Sequence, residues 1–214
     1  MPARRPARHP SLVLLVRHGH TPTTGKVLPG RARGLHLSAK GREQAQQVAE
    51  RLAALRHVEA VYSSPLERAK ETAGPIAAAR GLGVKVDKGL AEVDIGDWTG
   101  WELGKARRTP EWKIIQRNPS SFRFPNGESL WEMQSRMVEA LARLRAAHPS
   151  GTIVAVSHAD PIKAATIAAL GSHLDLYQRV VISTCSVTAI AYPDTAPVVL
   201  TVNSVGVLND AGLS

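Results

Sequence analysis

The 214-residue sequence predicts an α/β fold in three layers, α/β/α, with a mostly parallel central sheet and a small lid insertion. Short apolar segments alternate with segments of helical periodicity for most of the length, a pattern typical of a parallel sheet with helices on both faces. A hydrophobic fraction of 43% suits one globular domain with a substantial core. We assign that single domain to residues 11–214 and its lid to about residues 101–126.

The strands are predicted from short apolar segments bounded by polar or turn-forming residues. The first of them stops abruptly at Arg17-His18-Gly19. Predicted strands cover residues 12–16, 58–62, 84–86, 153–156, 187–191 and 198–202. Residues 19–37, rich in Gly, Pro, Thr and Arg, are predicted to form a long loop, whereas residues 92–126 have no single period.

The helices are predicted from their capping residues and from apolar spacing. Ser38 is a suitable N-cap for a helix after the loop. Ser64-Pro65-Leu66-Glu67 predicts a capping box that places Arg68 in the first helical turn, and Gly74-Pro75 should kink or end that helix. Two later helices are expected, one from Gly127 to about His148 and one starting at Asp160-Pro161.

The charge balance favours an anionic partner. The sequence has 27 Lys and Arg against 18 Asp and Glu, a net charge of +9. Arg4, Arg5 and Arg8 lie in residues 1–10, which we interpret as a disordered basic tail. The excess charge suits nucleic acid or a small anionic substrate, and no motif for RNA or DNA binding is present. We therefore expect a small-molecule partner and no nucleic acid.

The hydrophobic segments are too short to cross a membrane. The longest apolar runs have about five residues, whereas a spanning helix needs roughly 18–20. The N-terminus lacks the apolar core of a signal peptide, so a cytoplasmic protein without membrane partners is expected. The single cysteine, Cys185, excludes an intrachain disulfide.

Three basic side chains follow predicted strands and should meet at one edge of the sheet. His18 follows strand 12–16, Arg68 lies just beyond strand 58–62, and His158 follows strand 153–156. In open α/β sheets, ligands bind at the carboxyl ends of the strands. A neutral imidazole at His18 can attack phosphorus, and Arg17 and Arg68 offer donor forks that match phosphoryl oxygens. His158 adds a further donor if it is protonated.

A phosphoryl-transfer site also needs a group that protonates the leaving alkoxide and later accepts a proton from water. Glu92 is our candidate, and its pKa should be raised by nearby anions. Asp94 and Asp97 compete for the same role. His18 and His20 have a spacing that metal ligands use, but Arg17 and Arg68 would repel a cation. We therefore expect neither a metal nor a cofactor.

The sequence around these residues resembles the histidine phosphatase superfamily, which includes the cofactor-dependent phosphoglycerate mutases. The resemblance covers nearly the whole chain after residue 11 and is most similar to an actinobacterial-type group of phosphomutases and acid phosphatases. The matching blocks are Leu15 to Thr21, Leu37-Ser38 with Gly41, Ser63 to Ala69 with Thr72-Ala73, Glu92 with Gly96-Asp97-Trp98 and Gly100, Gly127-Glu128-Ser129, and Ser157-His158.

The resemblance implies a role for each matching residue. His18 matches the histidine that is phosphorylated, and Glu92 matches the usual proton donor. Arg17, Arg68 and His158 match the phosphate pocket. In the substrate-binding positions, the family often has Asn where this chain has Thr24, and commonly Gly where it has Ala159, whose backbone N–H would face the phosphate.

The resemblance leaves two activities open, a phosphatase and a phosphomutase. Glycolytic mutases of the family usually carry Glu-Arg-x-Tyr-Gly, whereas this sequence has Glu92-Val93-Asp94-Ile95-Gly96. This difference and the modest insertion between Gly100 and Gly127 favour hydrolysis of a phosphomonoester. A non-catalytic protein that binds a phosphorylated ligand is a further alternative, and a homodimer would be unsurprising.

The substrate is expected to be a small acidic phosphomonoester. Loop 22–36 and segment 101–125 should roof the pocket. These two segments carry Lys26, Arg31, Arg33, Trp101, Arg107, Arg108, Trp112, Lys113 and Arg123. A basic, aromatic roof fits a sugar phosphate or a phosphoglycerate derivative. Glu128 is interpreted as structural.

Overall fold

A six-stranded sheet lies at the centre of the computed structural model, which describes residues 10–55 and 57–206. Its strands are β1 (Ser11–Arg17), β2 (Val58–Ser63), β3 (Val84–Val86), β4 (Thr152–Ser157), β5 (Val187–Tyr192) and β6 (Val198–Ser204). Their order is β3-β2-β4-β1-β5-β6, in which the first four are mutually parallel and β5 runs antiparallel to both of its neighbours. The predicted mostly parallel sheet is confirmed.

Six α-helices accompany the sheet in the described residues. They are α1 (Ala39–Ala53), α2 (Glu67–Ala78), α3 (Leu103–Ala106), α4 (Pro110–Arg117), α5 (Leu130–Ala146) and α6 (Ala159–Ala169). Four short 3-10 helices cover Lys88–Leu90, Gly96–Trp98, Pro119–Ser121 and Leu174–Arg179. The predicted basic tail lies outside the described residues except for Pro10, and the assignment of residues 11–214 to a single domain stays a prediction.

Both faces of β1 are covered, which explains why its sequence is apolar from Leu12 to Val16 rather than alternating. Leu12, Leu14 and Val16 pack with side chains of α1 and α2 in one buried cluster. Val13 and Leu15 face the opposite way and pack with side chains of α5 and α6. The alternation of a strand therefore sends consecutive residues into two separate cores, which gives the three predicted layers.

The parallel register of β1 and β4 brings the ends of the two strands together. Arg17 pairs with Ser157, and the His18 backbone N–H donates to the Ser157 carbonyl at 3.0 Å. The residues that follow each strand, His18 and His158, are consequently neighbours. The sequence separation between them is large, so only the sheet register places them side by side.

The start of α1 matches its prediction, but the start of α2 does not. Ser38 accepts a hydrogen bond from the Gly41 N–H at 3.1 Å, as an N-cap should. The predicted capping box at Ser64 is wrong, because α2 begins at Glu67 and Leu66 occupies the N-cap position without a side-chain bond. The Ser64 hydroxyl instead lies 2.7 Å from His158 Nε2. The helix also continues past Pro75 to Ala78.

The two later helices begin close to the predicted residues. Ser129 and Glu132 form the capping box of α5, which starts three residues after Gly127. For α6 the predicted N-cap, Asp160, is wrong. His158 holds that position, so Asp160 lies within the first turn. The carboxylate of Asp160 still benefits from the positive end of the helix.

The lid has its own apolar cluster, which joins the main domain. Trp98 stacks on Trp101 with ring centroids 5.0 Å apart and contacts Phe122 and Phe124 edge-on or tilted. This cluster extends to Met133 of α5. The aromatic residues of segment 92–126 therefore serve largely as core, which fixes the lid on the α5 and α6 side of the sheet.

The loop after β1 lies directly against the first turn of α1. A Cβ atom at Gly41 would lie 2.0 Å from the carbonyl oxygen of His20, and one at Gly19 would lie 2.5 Å from the carbonyl oxygen of Gly41. Both obstructions are backbone atoms, which cannot rotate away. The two glycines thus allow the loop and α1 to approach closely, and this contact holds His18, the residue before Gly19, in place.

We expect Gly41→Ala to destabilise the fold by about 1–3 kcal/mol, because the added methyl group must displace the His20 backbone. Urea denaturation of wild type and variant measures the loss. Gly74→Ala is the matched control, since Gly74 is also helical and a Cβ there meets nothing within 4 Å. Equal stability of Gly41→Ala and wild type would contradict the close approach.

Candidate active site

His18 is held so that one ring nitrogen faces the site with a free lone pair. Only 6% of the residue is exposed. Its Nδ1 lies 2.7 Å from the Gly19 carbonyl, which can only accept, so Nδ1 carries the proton and Nε2 does not. Burial, followed by the charges of Arg68 and Arg17, holds the pKa of His18 well below its usual range. The imidazole is therefore neutral and nucleophilic.

His158 lies beside His18, with ring centroids 5.1 Å apart. It is fully buried, and its Nε2 is 2.7 Å from the Ser64 hydroxyl. The other nitrogen, Nδ1, is 3.9 Å from Glu92 Oε2. Burial first, and then Arg68, lower the pKa of His158 well below its usual range. This shift favours a neutral His158 ring, and the role of His158 as a donor to phosphate stays a prediction.

Two guanidinium groups complete one side of the site. Arg68 is fully buried and donates through one terminal nitrogen, Nη2, to the Gly30 carbonyl at 2.8 Å. Arg17 donates through Nη1 to the Ile182 carbonyl at 2.7 Å. Burial lowers the pKa of both groups and Glu92 opposes that effect. One nitrogen of each guanidinium is thus anchored to a backbone carbonyl, and this bond leaves the other N–H donors of the group unused.

Several buried donors of this site have no partner within residues 10–55 and 57–206. They are Arg17 Nε, Arg68 Nε, Arg68 Nη1 and His158 Nδ1. Buried polar groups are nearly always hydrogen-bonded, and a buried charge without a partner is costly. Unsatisfied cationic donors beside a nucleophilic imidazole are what a phosphoryl group with its three oxygens would satisfy.

Glu92 is the carboxyl group that faces this cluster. Its side chain is 14% exposed, and the Val93 N–H donates to Oε1 at 3.0 Å. Burial and the neighbouring Asp160 raise the pKa of Glu92 to about 7, although Arg68 and Arg17 partly oppose the rise. The group can therefore hold a proton near neutral pH and release it again.

Asp94 and Asp97, the other candidates for the acid, are engaged elsewhere. Asp97 is exposed and accepts from the Asn126 side-chain amide at 3.0 Å. Asp94 Oδ2 lies 3.6 Å from Arg31 Nη1, and its Oδ1 accepts from the Gly96 N–H at 3.1 Å. Of the three carboxylates, Glu92 is the one that the structure brings next to His158.

The loop that carries Glu92 is held by an ionic network that the sequence did not predict. Arg136 of α5 donates to the carbonyls of Gly89, Ala91 and Glu92 at 2.8, 3.0 and 3.3 Å, and it forms two bonds to the Glu128 carboxylate. Arg31 donates to the Glu92 carbonyl at 2.8 Å and to Glu128 at 2.7 Å. Glu128 therefore acts as a structural centre, in agreement with its interpretation.

The predicted substrate-binding positions have different surroundings. The Thr24 hydroxyl accepts from the Thr21 N–H at 2.9 Å and lies 3.0 Å from the Thr21 hydroxyl, so its hydrogen bonds are made within the loop. Ala159 is the first residue of α6, and its N–H follows directly after His158 at the positive end of that helix. Their roles toward a phosphate stay predictions.

The predicted roof is only partly available to a ligand. Arg31 is part of the network below Glu92, Arg123 pairs with Glu132, and Trp101 is stacked on Trp98. The cations that remain exposed are Lys26, Arg33, Arg107, Arg108 and Lys113. His20, which shares a metal-ligand spacing with His18, instead has its Nδ1 2.9 Å from the Ser38 hydroxyl.

Four further residues support the site and were not predicted by the sequence. Gly30 supplies the carbonyl that anchors Arg68, and Ser64 contacts His158. Thr72 accepts from the Gly19 N–H at 3.0 Å and donates to the Arg68 carbonyl at 2.7 Å, and Arg136 holds the acid loop. All four act across long sequence separations, so no local pattern identifies them.

Within residues 10–55 and 57–206, no helix has the length and apolar character needed to span a bilayer. No group of three or more His, Cys, Asp or Glu side chains in the same ranges is arranged to hold a metal ion.

We expect Arg136→Met to lower kcat about 10- to 100-fold with a smaller change in KM, since it frees the loop that carries Glu92 and leaves the Glu128 charge with less compensation. Steady-state kinetics measure this split. Arg143→Met is the matched control on the same helix, because Arg143 makes only an exposed ion pair with Asp87. An equal effect of both substitutions would contradict the positioning role.

Comparison with known proteins gives a consistent result. The family model of the histidine phosphatase superfamily, branch 1, matches residues 13–205. Phosphoserine phosphatase 1 of Hydrogenobacter thermophilus is 32% identical over 196 residues, which cover 89% of this chain and 91% of that protein. Phosphoglycerate mutase-like protein 4 of Arabidopsis thaliana is 37% identical over 155 residues, which cover 71% of this chain and 67% of that protein.

A solved structure has the same fold. Mycobacterial glucosyl-3-phosphoglycerate phosphatase superposes with a TM-score of 0.76 at 27% identity, over 84% of this chain and 89% of that one. The fold is therefore shared with a solved phosphatase, and the sequence relatives include one protein named as a phosphatase and one named as mutase-like.

Proposed function

The chain belongs to branch 1 of the histidine phosphatase superfamily, and from this membership and the site geometry we propose that it hydrolyses a small acidic phosphomonoester through a phosphohistidine on His18. The observation that carries the proposal is the set of buried, unpartnered donors on Arg17, Arg68 and His158 around a neutral imidazole within the described residues. A tetrahedral anion satisfies those donors, and the lone pair on His18 Nε2 supplies the nucleophile.

In the first step, His18 Nε2 attacks phosphorus while the bond from phosphorus to the ester oxygen breaks. Glu92 gives its proton to the departing oxygen and becomes a carboxylate. The proton stays on His18 Nδ1, which keeps donating to the Gly19 carbonyl, so the phosphorylated ring keeps its hydrogen-bonded orientation. Arg17 and Arg68 neutralise the charge that spreads over the equatorial oxygens.

In the second step, water attacks the phosphohistidine. The Glu92 carboxylate accepts a proton from water, the bond between Nε2 and phosphorus breaks, and phosphate leaves. His18 returns to its neutral form and Glu92 to its protonated form. A carboxyl group whose pKa is about 7 suits both directions of proton transfer near neutral pH.

The cations of the site perform the charge neutralisation that a metal performs in other phosphoryl-transfer enzymes. We therefore propose a reaction that needs no metal and no cofactor. We also propose that the protein is cytoplasmic and acts on a small molecule rather than on nucleic acid or a membrane. Assembly as a homodimer also stays a prediction. Treatment with EDTA should leave activity unchanged, and a strong loss that added metal restores would contradict this part.

The substrate is proposed to carry a second acidic group. The two phosphatase relatives are named for phosphoserine and glucosyl-3-phosphoglycerate, and both of these molecules contain a carboxylate. A cleft of about 510 Å³ beside loop 22–36 is lined by Lys26, Glu102 and Arg107 and by none of the catalytic candidates, and its net positive charge would attract such an anion. The candidates to compare are phosphoserine, phosphoglycerates and sugar phosphates.

A phosphomutase is the second candidate function, supported by the similarity to phosphoglycerate mutase-like protein 4. The experiment that separates the two follows each phosphomonoester by ³¹P NMR with and without 2,3-bisphosphoglycerate. Release of inorganic phosphate without a bisphosphate requirement is expected. Exchange between phosphoglycerate isomers without release would favour the mutase, and inactivity on every ester would favour a non-catalytic phosphate-binding protein.

A further inference from the structure

We propose that Ser64 is a positioning residue that fixes His158 in the tautomer with its proton on Nδ1, so that this N–H points at the bound phosphoryl group. The proposal rests on the proposed function for its effect on catalysis. Its structural part, the position of the proton, does not. Ser64 is not among the site residues predicted from the sequence, because the residues around it match the pattern of a helix cap.

The position of Ser64 is fixed by the sheet. It follows β2 directly and is fully buried, and its backbone N–H donates to the Val156 carbonyl of β4 at 2.9 Å. The hydroxyl then faces the residue two positions beyond Val156, which is His158, with 2.7 Å between Oγ and Nε2. The backbone carbonyl of Ser64 accepts from the Ser63 hydroxyl at 2.8 Å, a bond that does not involve the Ser64 hydroxyl.

The direction of the hydrogen bond follows from counting donors. The Leu66 N–H already donates to the Ser64 hydroxyl oxygen at 3.3 Å. If His158 Nε2 also donated to that oxygen, the hydroxyl proton would have no acceptor among the described residues, although the group is buried. With the proton of Ser64 directed at Nε2 instead, both the Ser64 hydroxyl and His158 Nε2 are satisfied.

A neutral ring carries one proton, so a lone pair at Nε2 places the proton at Nδ1. That nitrogen is the buried atom without a partner in the described residues, and it faces Glu92 Oε2 at 3.9 Å across the site. A phosphoryl oxygen on His18 would lie near it, since the two rings are 5.1 Å apart. Neutral His158 thus acts as a hydrogen-bond donor to the anion.

Loss of the Ser64 hydroxyl frees the ring to place its proton on either nitrogen. The tautomer with a proton on Nε2 presents the Nδ1 lone pair to the phosphoryl oxygens, which repels them. A donor to a developing anion is thereby replaced by an acceptor. The effect should be larger on the transition state, which carries charge on the equatorial oxygens, than on ground-state binding.

The test combines ¹⁵N NMR of the histidine rings with kinetics of Ser64→Ala. The His158 signals are assigned by their absence in His158→Gln. In wild type we expect the protonated-nitrogen shift at Nδ1 and the unprotonated shift at Nε2. In Ser64→Ala these shifts should move toward each other or exchange, and kcat should fall about 10- to 100-fold with a smaller change in KM.

Two further variants separate positioning from a general structural effect. Ser63→Ala removes a buried hydroxyl one residue earlier that bonds only the Ser64 carbonyl, and it should leave the His158 shifts unchanged. Ser64→Thr keeps a hydroxyl and should restore the wild-type tautomer and part of the activity. A wild-type proton on Nε2, or unchanged shifts in Ser64→Ala, would overturn the proposal.

The NMR result is independent of turnover. If no ester is hydrolysed but wild type shows the Nδ1 proton and Ser64→Ala loses it, the proposed function fails while the role of Ser64 in fixing the ring stands. If turnover is normal and the proton lies on Nε2, the reverse holds. Binding of inorganic phosphate can be measured whether or not an ester is hydrolysed. Its dissociation constant should be higher for Ser64→Ala than for wild type.

Discussion

Substitution of His18 by Asn is expected to lower kcat/KM at least about 10⁴-fold and to abolish transfer of a phosphoryl group to the protein. Asparagine keeps a side-chain amide that can donate to the Gly19 carbonyl but has no nucleophilic lone pair on nitrogen. The surrounding donors of Arg17, Arg68 and His158 are left in place, so inorganic phosphate should still bind.

Capture of the intermediate is the direct measurement. Wild type mixed with a ³²P-labelled ester and quenched in alkali should retain label. A phosphorylated imidazole is stable in alkali, whereas phosphoserine loses its phosphate there. The matched control is His173→Ala, because His173 is exposed and its contacts, with Asp175 and Trp131, lie outside the candidate site. Label on His18→Asn equal to wild type would refute His18 as the nucleophile.

The fold was predictable because its signals are local. β1 is apolar from Leu12 to Val16, as expected for a strand covered on both faces, and Ser38 caps α1 by a bond to the N–H three residues later. Parallel strands present their carboxyl ends at one edge of the sheet, and this rule is sufficient to predict that His18 and His158 lie close together. These features depend on short segments or on the direction of strands.

Features that depend on tertiary contacts were not predictable. The sequence around Ser64 satisfies the pattern of a capping box, but burial beside His158 gives its hydroxyl a different partner and moves the start of α2 to Glu67. Arg31 and Arg136 have no local pattern that distinguishes them from surface cations. Only the approach of two distant segments to the Glu92 loop reveals their function.

Glu92→Gln should produce an effect that depends on the leaving group. For alkyl phosphate esters we expect kcat/KM to fall about 10²- to 10⁴-fold, because the departing alkoxide then receives no proton. For p-nitrophenyl phosphate the first step should be much less affected, since nitrophenolate leaves without protonation. The glutamine side-chain oxygen can still accept from the Val93 N–H, so the loop should keep its conformation.

The pH profile gives a second readout of the same group. Glu92 must be protonated to act as an acid, and its pKa is raised to about 7, so the activity of wild type on alkyl esters should fall as the pH rises through about 7. Burial holds the pKa of His18 well below its usual range, so protonation of His18 should not limit activity near neutral pH. The alkaline limb should disappear in Glu92→Gln.

The second half-reaction distinguishes Glu92 from its neighbours. Without a carboxylate to accept a proton from water, the phosphohistidine should accumulate in Glu92→Gln, and p-nitrophenyl phosphate should give a burst of nitrophenol followed by slow turnover. Asp94→Asn is the matched control, because Asp94 lies two residues away and contacts Arg31 rather than His158. A burst in that variant but not in Glu92→Gln would assign the acid to Asp94, since the carboxylate that protonates the leaving oxygen is also the one that must deprotonate water.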